Sequence, residues 1–285
     1  MPRSTCTRAR ESAGVAGVVS DIGRLPVVDA PDMLAGLVAP PASTSGTSTT
    51  VSRPMSDTTP ATPADSRARV HVDLGMAYFE VGRYDVALDE ATIALNDSPN
   101  YAPAYHLRAL AYMLIEENAA ARENFERALR EAPGDPDFNN SFGWFLCTQG
   151  EEQQGLDRLA LAARNPYYRY PARPLTNAGL CYLRLKDEPA AEAQFTRAVQ
   201  ADPANGQALY QLADIAYRSG RYDQARNHLI RLHQQHDSSA ASVWLGLRAE
   251  RRLGNHDAEA SYASQLQSRF AESEEFKLFN EGKFE

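Results

Sequence analysis

Leu74-Gly75-Met76-Ala77-Tyr78, followed by Gly82-Arg83-Tyr84-Asp85-Val86-Ala87, is the stretch on which the fold turns, because it returns. Leu212-Ala213 with Gly220-Arg221-Tyr222-Asp223-Gln224-Ala225 repeats its grammar far downstream. Between and beyond them a series of small residues runs Gly75, Ala109, Gly143, Gly179, Ala213 and Gly246, at intervals of 34, 34, 36, 34 and 33. A second series, Ala87, Ala121, Gly155, Ala191, Ala225 and Ala258, keeps the same intervals. So does a third, of larger residues after its first member: Ala91, Phe125, Leu159, Phe195, Leu229 and Tyr262. Three series that share one period, and share the same insertion, mark one structural unit repeated six times. The small residues have a physical role: Gly or Ala in mid-helix lets two helices approach closely, and the larger residue fills the hole beside them. Pro99, Pro133 and Pro203 fall where the second helix of a unit must end.

A helix–turn–helix period of about 34 residues resembles the tetratricopeptide repeat. The resemblance implies an all-α superhelical solenoid, with repeats near 68–101, 102–135, 136–171, 172–205, 206–238 and 239–272, in one domain over 67–285. The sixth copy is degenerate, as expected of a terminal cap with a more polar outer face.

The chain ahead of the repeats is different. Its first 66 residues hold none of the 13 Tyr, 10 Phe and 2 Trp, the first aromatic being Tyr78, and they carry 18 Ser or Thr and 8 of the 17 Pro. Such a segment cannot bury enough apolar surface to offset its ordering entropy, so 1–66 reads as a disordered leader or tether. Its apolar runs, Val15-Ala16-Gly17-Val18-Val19 and Met33-Leu34-Ala35-Gly36-Leu37-Val38-Ala39, are short for an export signal. Cys6 follows Arg3-Ser4-Thr5, which lacks the small apolar character of a lipid-attachment site. No convincing signal peptide or lipobox is read.

Composition excludes several function classes. A formal net charge of −8 argues against a nucleic-acid partner, and no apolar run reaches membrane-spanning length. The three cysteines form no paired C-x-x-C zinc ligands. There is no Gly-rich phosphate loop, nucleophile elbow or H-E-x-x-H. His233 and His236 share a helix face, but no carboxylate or cysteine motif joins them, and solvated histidines are the expectation. The reading is a protein without catalysis, cofactor, metal or small-molecule substrate.

Attention moves to surfaces. In the register of such repeats the second, fifth, ninth, twelfth and thirteenth residues line the inner wall. In repeat one these include Val72, Met76, Phe79 and Glu80; in repeat two, His106, Leu110, Met113 and Leu114. The Lys, Asn and Arg of chaperone-tail-binding repeats, which clamp a carboxylate, are absent there. Val72, Met76, Phe79, Leu110 and Met113 instead make an apolar wall suited to a hydrophobic helix or strand, or to a lipid or acyl chain; cover by the leader or tight packing is the alternative. The insertion Tyr167-Tyr168-Arg169-Tyr170 is a second candidate contact, with packing between repeats three and four as its alternative. Cys147 and Cys181 fall late in the first helices of adjacent repeats. They are either two small buried thiols or a bridge worth about 3 kcal/mol.

Some segments are more specific than a generic repeat: Asn139-Asn140-Ser141-Phe142-Gly143-Trp144-Phe145-Leu146-Cys147, Asn165-Pro166-Tyr167-Tyr168-Arg169-Tyr170-Pro171 and Asn177-Ala178-Gly179-Leu180-Cys181. Ser261-Tyr262-Ala263-Ser264-Gln265-Leu266-Gln267-Ser268-Arg269-Phe270 and the closing Gly282-Lys283-Phe284-Glu285 complete the set. Together, over about 68–285, they resemble the type IV pilus biogenesis/stability protein family (PilF/PilW type), six-repeat lipoproteins often called pilotins. The resemblance implies an assembly factor on the periplasmic face of the outer membrane, whose partner is the outer-membrane secretin of the type IV pilus. It further implies that the secretin depends on this factor for localisation and multimerisation, and twitching motility on the secretin. Because members are exported, it also implies that Cys147 and Cys181 form a disulfide. The family's lipidated cysteine has no counterpart here. Another cell-envelope repeat adaptor, scaffolding outer-membrane or cell-wall machinery, is the alternative, and a thiol-active enzyme using Cys147 and Cys181 ranks third. If the wall of repeats one and two receives a hydrophobic secretin segment, charge substitution at Met76 and Leu110 should abolish multimers while leaving helicity intact.

Overall fold

Thr62 opens the first helix, at the start of the residues 62–284 described by the structure, a computed structural model. Its hydroxyl accepts from the Asp65 amide at 3.0 Å, and the Asp65 carboxylate accepts from the Thr62 amide at 3.0 Å, with Pro63 in the first turn. This reciprocal capping box starts the helix four residues ahead of the boundary expected at 67. The rest of the expected leader, 1–61, lies outside the described residues.

Thirteen helices and no strand follow among the described residues. They pair as α1 (Pro63–Glu80) with α2 (Tyr84–Asp97), α3 (Ala102–Leu114) with α4 (Asn118–Glu131), and α5 (Pro136–Thr148) with α6 (Glu152–Arg164). The series continues with α7 (Ala172–Arg184) and α8 (Glu188–Ala201), α9 (Gly206–Arg218) and α10 (Tyr222–Gln235), then α11 (Ala240–Leu253) and α12 (His256–Arg269). A short α13 (Glu274–Asn280) closes the chain. The first helix of each unit packs on its own second helix, and that second helix packs on the first helix of the next unit. This is the solenoid geometry in which each unit touches only its neighbours. Pro99, Pro133 and Pro203 each stand two residues beyond the end of a second helix, where a missing N–H costs no helical bond.

The small-residue series is where the paired helices meet. A methyl at Gly143 would stand 2.8 Å from Leu159 Cγ, at Gly179 2.5 Å from the Phe195 ring, and at Gly246 2.6 Å from the Tyr262 ring. In each case the obstacle is the large residue of the third series in the same unit. Repeat one has only Ala91 there, and its place is taken by the neighbouring unit: Leu107 Cδ2 would be 2.6 Å from a methyl at Gly75. The exception in the sequence is thus filled from α3.

The buried side chains form two large clusters, one from Ala68 to Leu146 and one from Leu175 to Leu245. A small third cluster of Trp144, Cys147, Leu156, Leu159, Ala178 and Cys181 lies between them, at the junction of repeats three and four. The end of the solenoid differs from the polar cap expected of the sixth copy. Val243, Trp244, Leu247 and Leu266 are covered by Phe276, Leu278, Phe279 and Phe284, so the chain's own C-terminal segment takes the position of a further helix. The apolar docking face of repeat six is covered rather than replaced by polar residues.

The tight turns between paired helices pass through the left-handed region. Gly82, Gly150, Gly220 and Gly254 occupy it with φ of 77°, 82°, 74° and 71°, but in repeats two and four the residue is Glu116 (φ 64°) or Lys186 (φ 60°). A side chain in that conformation costs about 1 kcal/mol. Glu116→Gly and Lys186→Gly should therefore each stabilise the domain by about 1 kcal/mol in urea denaturation. Gly155→Ala should destabilise it by more than about 2 kcal/mol, since its methyl would meet Cys147 Sγ at 2.5 Å and the Gly143 carbonyl oxygen at 2.6 Å.

Candidate partner-binding surface

The first helices, α1, α3, α5, α7, α9 and α11, present the ninth and twelfth residues of each repeat toward the inner wall. Much of the wall expected in repeats one and two is consumed by packing. Phe79 and Leu110 are fully buried and Val72 and His106 nearly so, the three apolar ones inside the first large cluster. Met76 and Met113 are half-buried and reach the surface. The reason is the contact between successive first helices: Ala109 and Ala111 bring α3 close to its neighbours, and Phe79 and Leu110 fill the interface. A charge at Leu110 would therefore unfold the repeat, so the pair Met76 and Leu110 does not separate binding from folding.

The same register carries the wall onward. Met113 packs against the small junction cluster that contains Trp144, and half-buried Leu180 and Tyr182 flank the same cluster. Leu183, Tyr210 and Tyr217 extend the strip over the second large cluster. At the thirteenth position the C-terminal half is basic, with Arg184, Arg218 and Arg251 exposed in succession. Arg218 pairs with Asp214 at 2.9 Å and with Glu188, and Arg251 with Glu259 at 2.9 Å.

The insertion before α7 is divided in its roles. Tyr168 is buried, and its hydroxyl donates to Asp137 Oδ1 at 2.8 Å. Burial pushes both the Tyr168 phenol and the Asp137 carboxyl above their ordinary ranges, although Arg173 pulls the other way. Arg173 lies 4.0 Å over the Tyr170 ring, and Tyr170 meets Tyr168 edge-on at 6.3 Å. The segment is thus bolted to α5. Tyr168 belongs to the packing, while Tyr167 is 61% exposed and free to meet another molecule.

Repeats three and four are joined more firmly than any other feature of the sequence required. Cys147 and Cys181 are disulfide-bonded across α5 and α7, with Cα atoms 5.6 Å apart. Two turns away on α5 and one on α7, the buried Asn177 amide donates to Asn140 Oδ1 at 3.0 Å. Space for the sulfur is made by Gly155, the glycine in a series that is otherwise alanine. The bridge sits in the small cluster between the two large ones.

The histidines do not converge. His233 Nε2 lies 2.9 Å from Ser242 Oγ, and His236 Nε2 lies 2.5 Å from the Ala204 carbonyl oxygen, so the two face different neighbours. Among the described residues no three His, Cys, Asp or Glu are grouped to hold a metal ion, and no helix is long and apolar enough to cross a membrane. His106 packs at a tilt against Phe138 at 4.5 Å and Phe125 at 6.1 Å; its Nε2 has no partner, and burial pushes its pKa down to about 3.

Tetratricopeptide-repeat models match residues 72–136 and 182–250. The type IV pilus assembly protein PilF of Pseudomonas aeruginosa is 26% identical over 215 residues, 75% of this chain and 85% of that protein. The crystal structure of PilW, a type IV pilus biogenesis factor, superposes with a TM-score of 0.68 at 27% identity, covering 75% of this chain and 98% of PilW. The structure of P. aeruginosa PilF superposes at 0.71 with 25% identity, covering 78% and 100%. The chain is a tetratricopeptide-repeat protein related to the type IV pilus biogenesis factors. A likeness to the Cut9–Hcn1 complex, TM-score 0.62 at 14% identity, reflects the fold alone.

In this pilus-biogenesis relative the wall register of repeats one and two continues through the later repeats. Carrying it on reaches Trp144, Leu180, Leu183 and Tyr217. Buried His106 supplies a pH test. The unfolded chain takes up its proton near pH 6.5 whereas the folded chain does so only near 3, so this residue costs stability as pH falls between those values. From pH 7 to pH 5, His106→Phe should lose about 1–2 kcal/mol less stability in urea denaturation than the wild type.

Proposed function

We propose that this protein is a non-enzymatic assembly factor for type IV pilus biogenesis, which promotes outer-membrane localisation and multimerisation of the pilus secretin through contacts of its solenoid. The observation that carries this reading is the extent of the match: the repeats superpose on nearly the whole of PilW and of PilF, not on a shared fragment. A fold of this kind binds through shape and scattered side chains rather than through a reactive centre. The inner wall offers what a polypeptide partner needs, with Met76, Met113, Leu180, Leu183 and Tyr217 as an adaptable apolar strip, edged by Arg184 and Arg218. Exposed Tyr167 is a second contact, beside the wall rather than on it.

The Cys147–Cys181 bond supports an oxidising location, as the periplasm is. On this reading the domain works at the periplasmic face of the outer membrane, and residues 1–61 connect it to its site of action.

Deleting the gene in its own bacterium should make secretin multimers vanish from unboiled outer-membrane extracts, with return on complementation. Met76→Glu combined with Met113→Glu should fail to complement while retaining wild-type helicity by circular dichroism. Persistence of multimers and normal pili in the deletion strain would transfer the protein to another envelope machinery.

A further inference from the structure

Repeats five and six are laced by paired arginines. Arg218 is held by Asp214 and Glu188, Arg221 by Glu192, Arg226 by Glu250 and Arg251 by Glu259. Arg248 stands among them with no ion pair or hydrogen bond to a described residue, and its buried Nε has no partner. Its guanidinium instead lies 4.8 Å from the Tyr217 ring and 5.5 Å from the Trp244 ring.

The position is unusual within the repeat. Arg248 is the tenth residue of repeat six, set against Tyr217, the twelfth of repeat five; Cys181 stands to Cys147 in the same relation. At the other junctions the tenth residue is Ala111, Phe145 or Ile215, each apolar and fully or almost fully buried. A guanidinium has therefore been placed where the fold ordinarily uses a hydrophobic contact. Two aromatic faces stabilise it in place of a carboxylate. The Trp244 ring packs on Phe284 at 5.5 Å, over which Arg251 lies at 4.0 Å. Tyr217 is backed by Tyr222 at 5.4 Å. The cation is consequently pre-oriented, with its rings fixed and its fork unused.

Its surroundings identify what would complete it. Tyr210 and Tyr217 occupy the fifth and twelfth positions of the inner wall, and Leu183 precedes them on the same strip. Burial raises the Tyr210 phenol, and the charges of Asp214, Arg248 and Glu275 act on it as smaller influences. Asp214 is committed to Arg218, and Glu275 of α13 makes no ion pair with Arg248. A guanidinium fork matches a carboxylate with two parallel hydrogen bonds, and flanking aromatic and aliphatic side chains suit a polypeptide rather than a free ion.

We propose that Arg248, sandwiched between Tyr217 and Trp244, is an anchor for an acidic side chain of a partner polypeptide whose flanking residues are apolar and lie on Tyr210, Tyr217 and Leu183. This rests on the inner wall being the partner-binding face, and it assigns the partner's chemistry: an Asp or Glu set among hydrophobic residues.

The test uses the purified full chain and two terminally blocked peptides, Leu-Phe-Glu-Leu-Phe and Leu-Phe-Gln-Leu-Phe, titrated by fluorescence anisotropy. The Glu peptide should bind about tenfold more tightly than the Gln peptide. Arg248→Met should bring the two to equal affinity. Arg248→Lys, which keeps the charge and loses the fork, should retain only a small part of the preference and serves if the Met variant does not fold. No binding by either peptide at millimolar concentration, no Glu preference, or a preference that survives Arg248→Met overturns the proposal. So does Arg248-dependent cosedimentation with phosphatidylglycerol vesicles in the absence of a peptide preference, which would assign the site to a lipid headgroup. Secretin multimers that persist in the deletion strain would overturn the function without moving these affinities, so the two failures are distinguishable.

Discussion

Everything in this molecule depends on how closely two helices of one repeat can approach. At Gly143, Gly179 and Gly246 the partner side chain already occupies the volume a methyl would need. That contact sets the angle within each hairpin, the angle sets how the next hairpin stacks, and the stack sets the curvature of the inner wall. The constraint is local and identical in each unit, which is why the period is so regular. It also explains the one place where the series is broken: a small Ala91 is tolerated because Leu107 of the next repeat enters the gap.

The junction of repeats three and four obeys a second constraint. An insertion here lengthens the connection, and a small separate group around Trp144 and Leu159 lies between the two large clusters. Covalent and polar links add to the packing there: the Cys147–Cys181 bond, the Asn140–Asn177 pair and the Tyr168–Asp137 bond. These links span α5 to α7 and bind the loop back to α5. A buried polar pair of this kind fixes register rather than adding much stability. A solenoid that must present one continuous face to a partner needs its halves in fixed relation, and this junction supplies that.

The face so presented is mixed in character. Half-buried methionines and leucines lie along its middle, aromatic rings lie toward its C-terminal end, and arginines edge it there. Most of those arginines neutralise carboxylates of their own chain. The C-terminal segment, with Phe276, Phe279 and Phe284 packed over Trp244, closes the solenoid and at the same time steadies the aromatic rings beside Arg248. Folding and recognition share residues here, a common outcome when a thin array has few atoms to spare.

The sequence by itself determined the hairpins. Their number, their boundaries to within a few residues and the small-residue contacts all follow from periodicity, because a helix pair specifies itself through neighbours three, four and sixteen residues away. Thr62-Pro63 with Asp65 opens a helix inside the stretch whose Ser/Thr/Pro-rich composition reads as leader. What only the tertiary structure decided is which side chains remain at the surface. Val72, Phe79 and Leu110 carry the same apolar character as Met76 and Met113, and the register places them all on one wall. Their fates diverge because successive first helices close over some positions and leave others open. The same holds for Arg248, whose identity as a cation is plain in the sequence. Its lack of a carboxylate is visible only once the neighbouring repeats are stacked, since an ion pair is a relation between residues that the chain order leaves far apart.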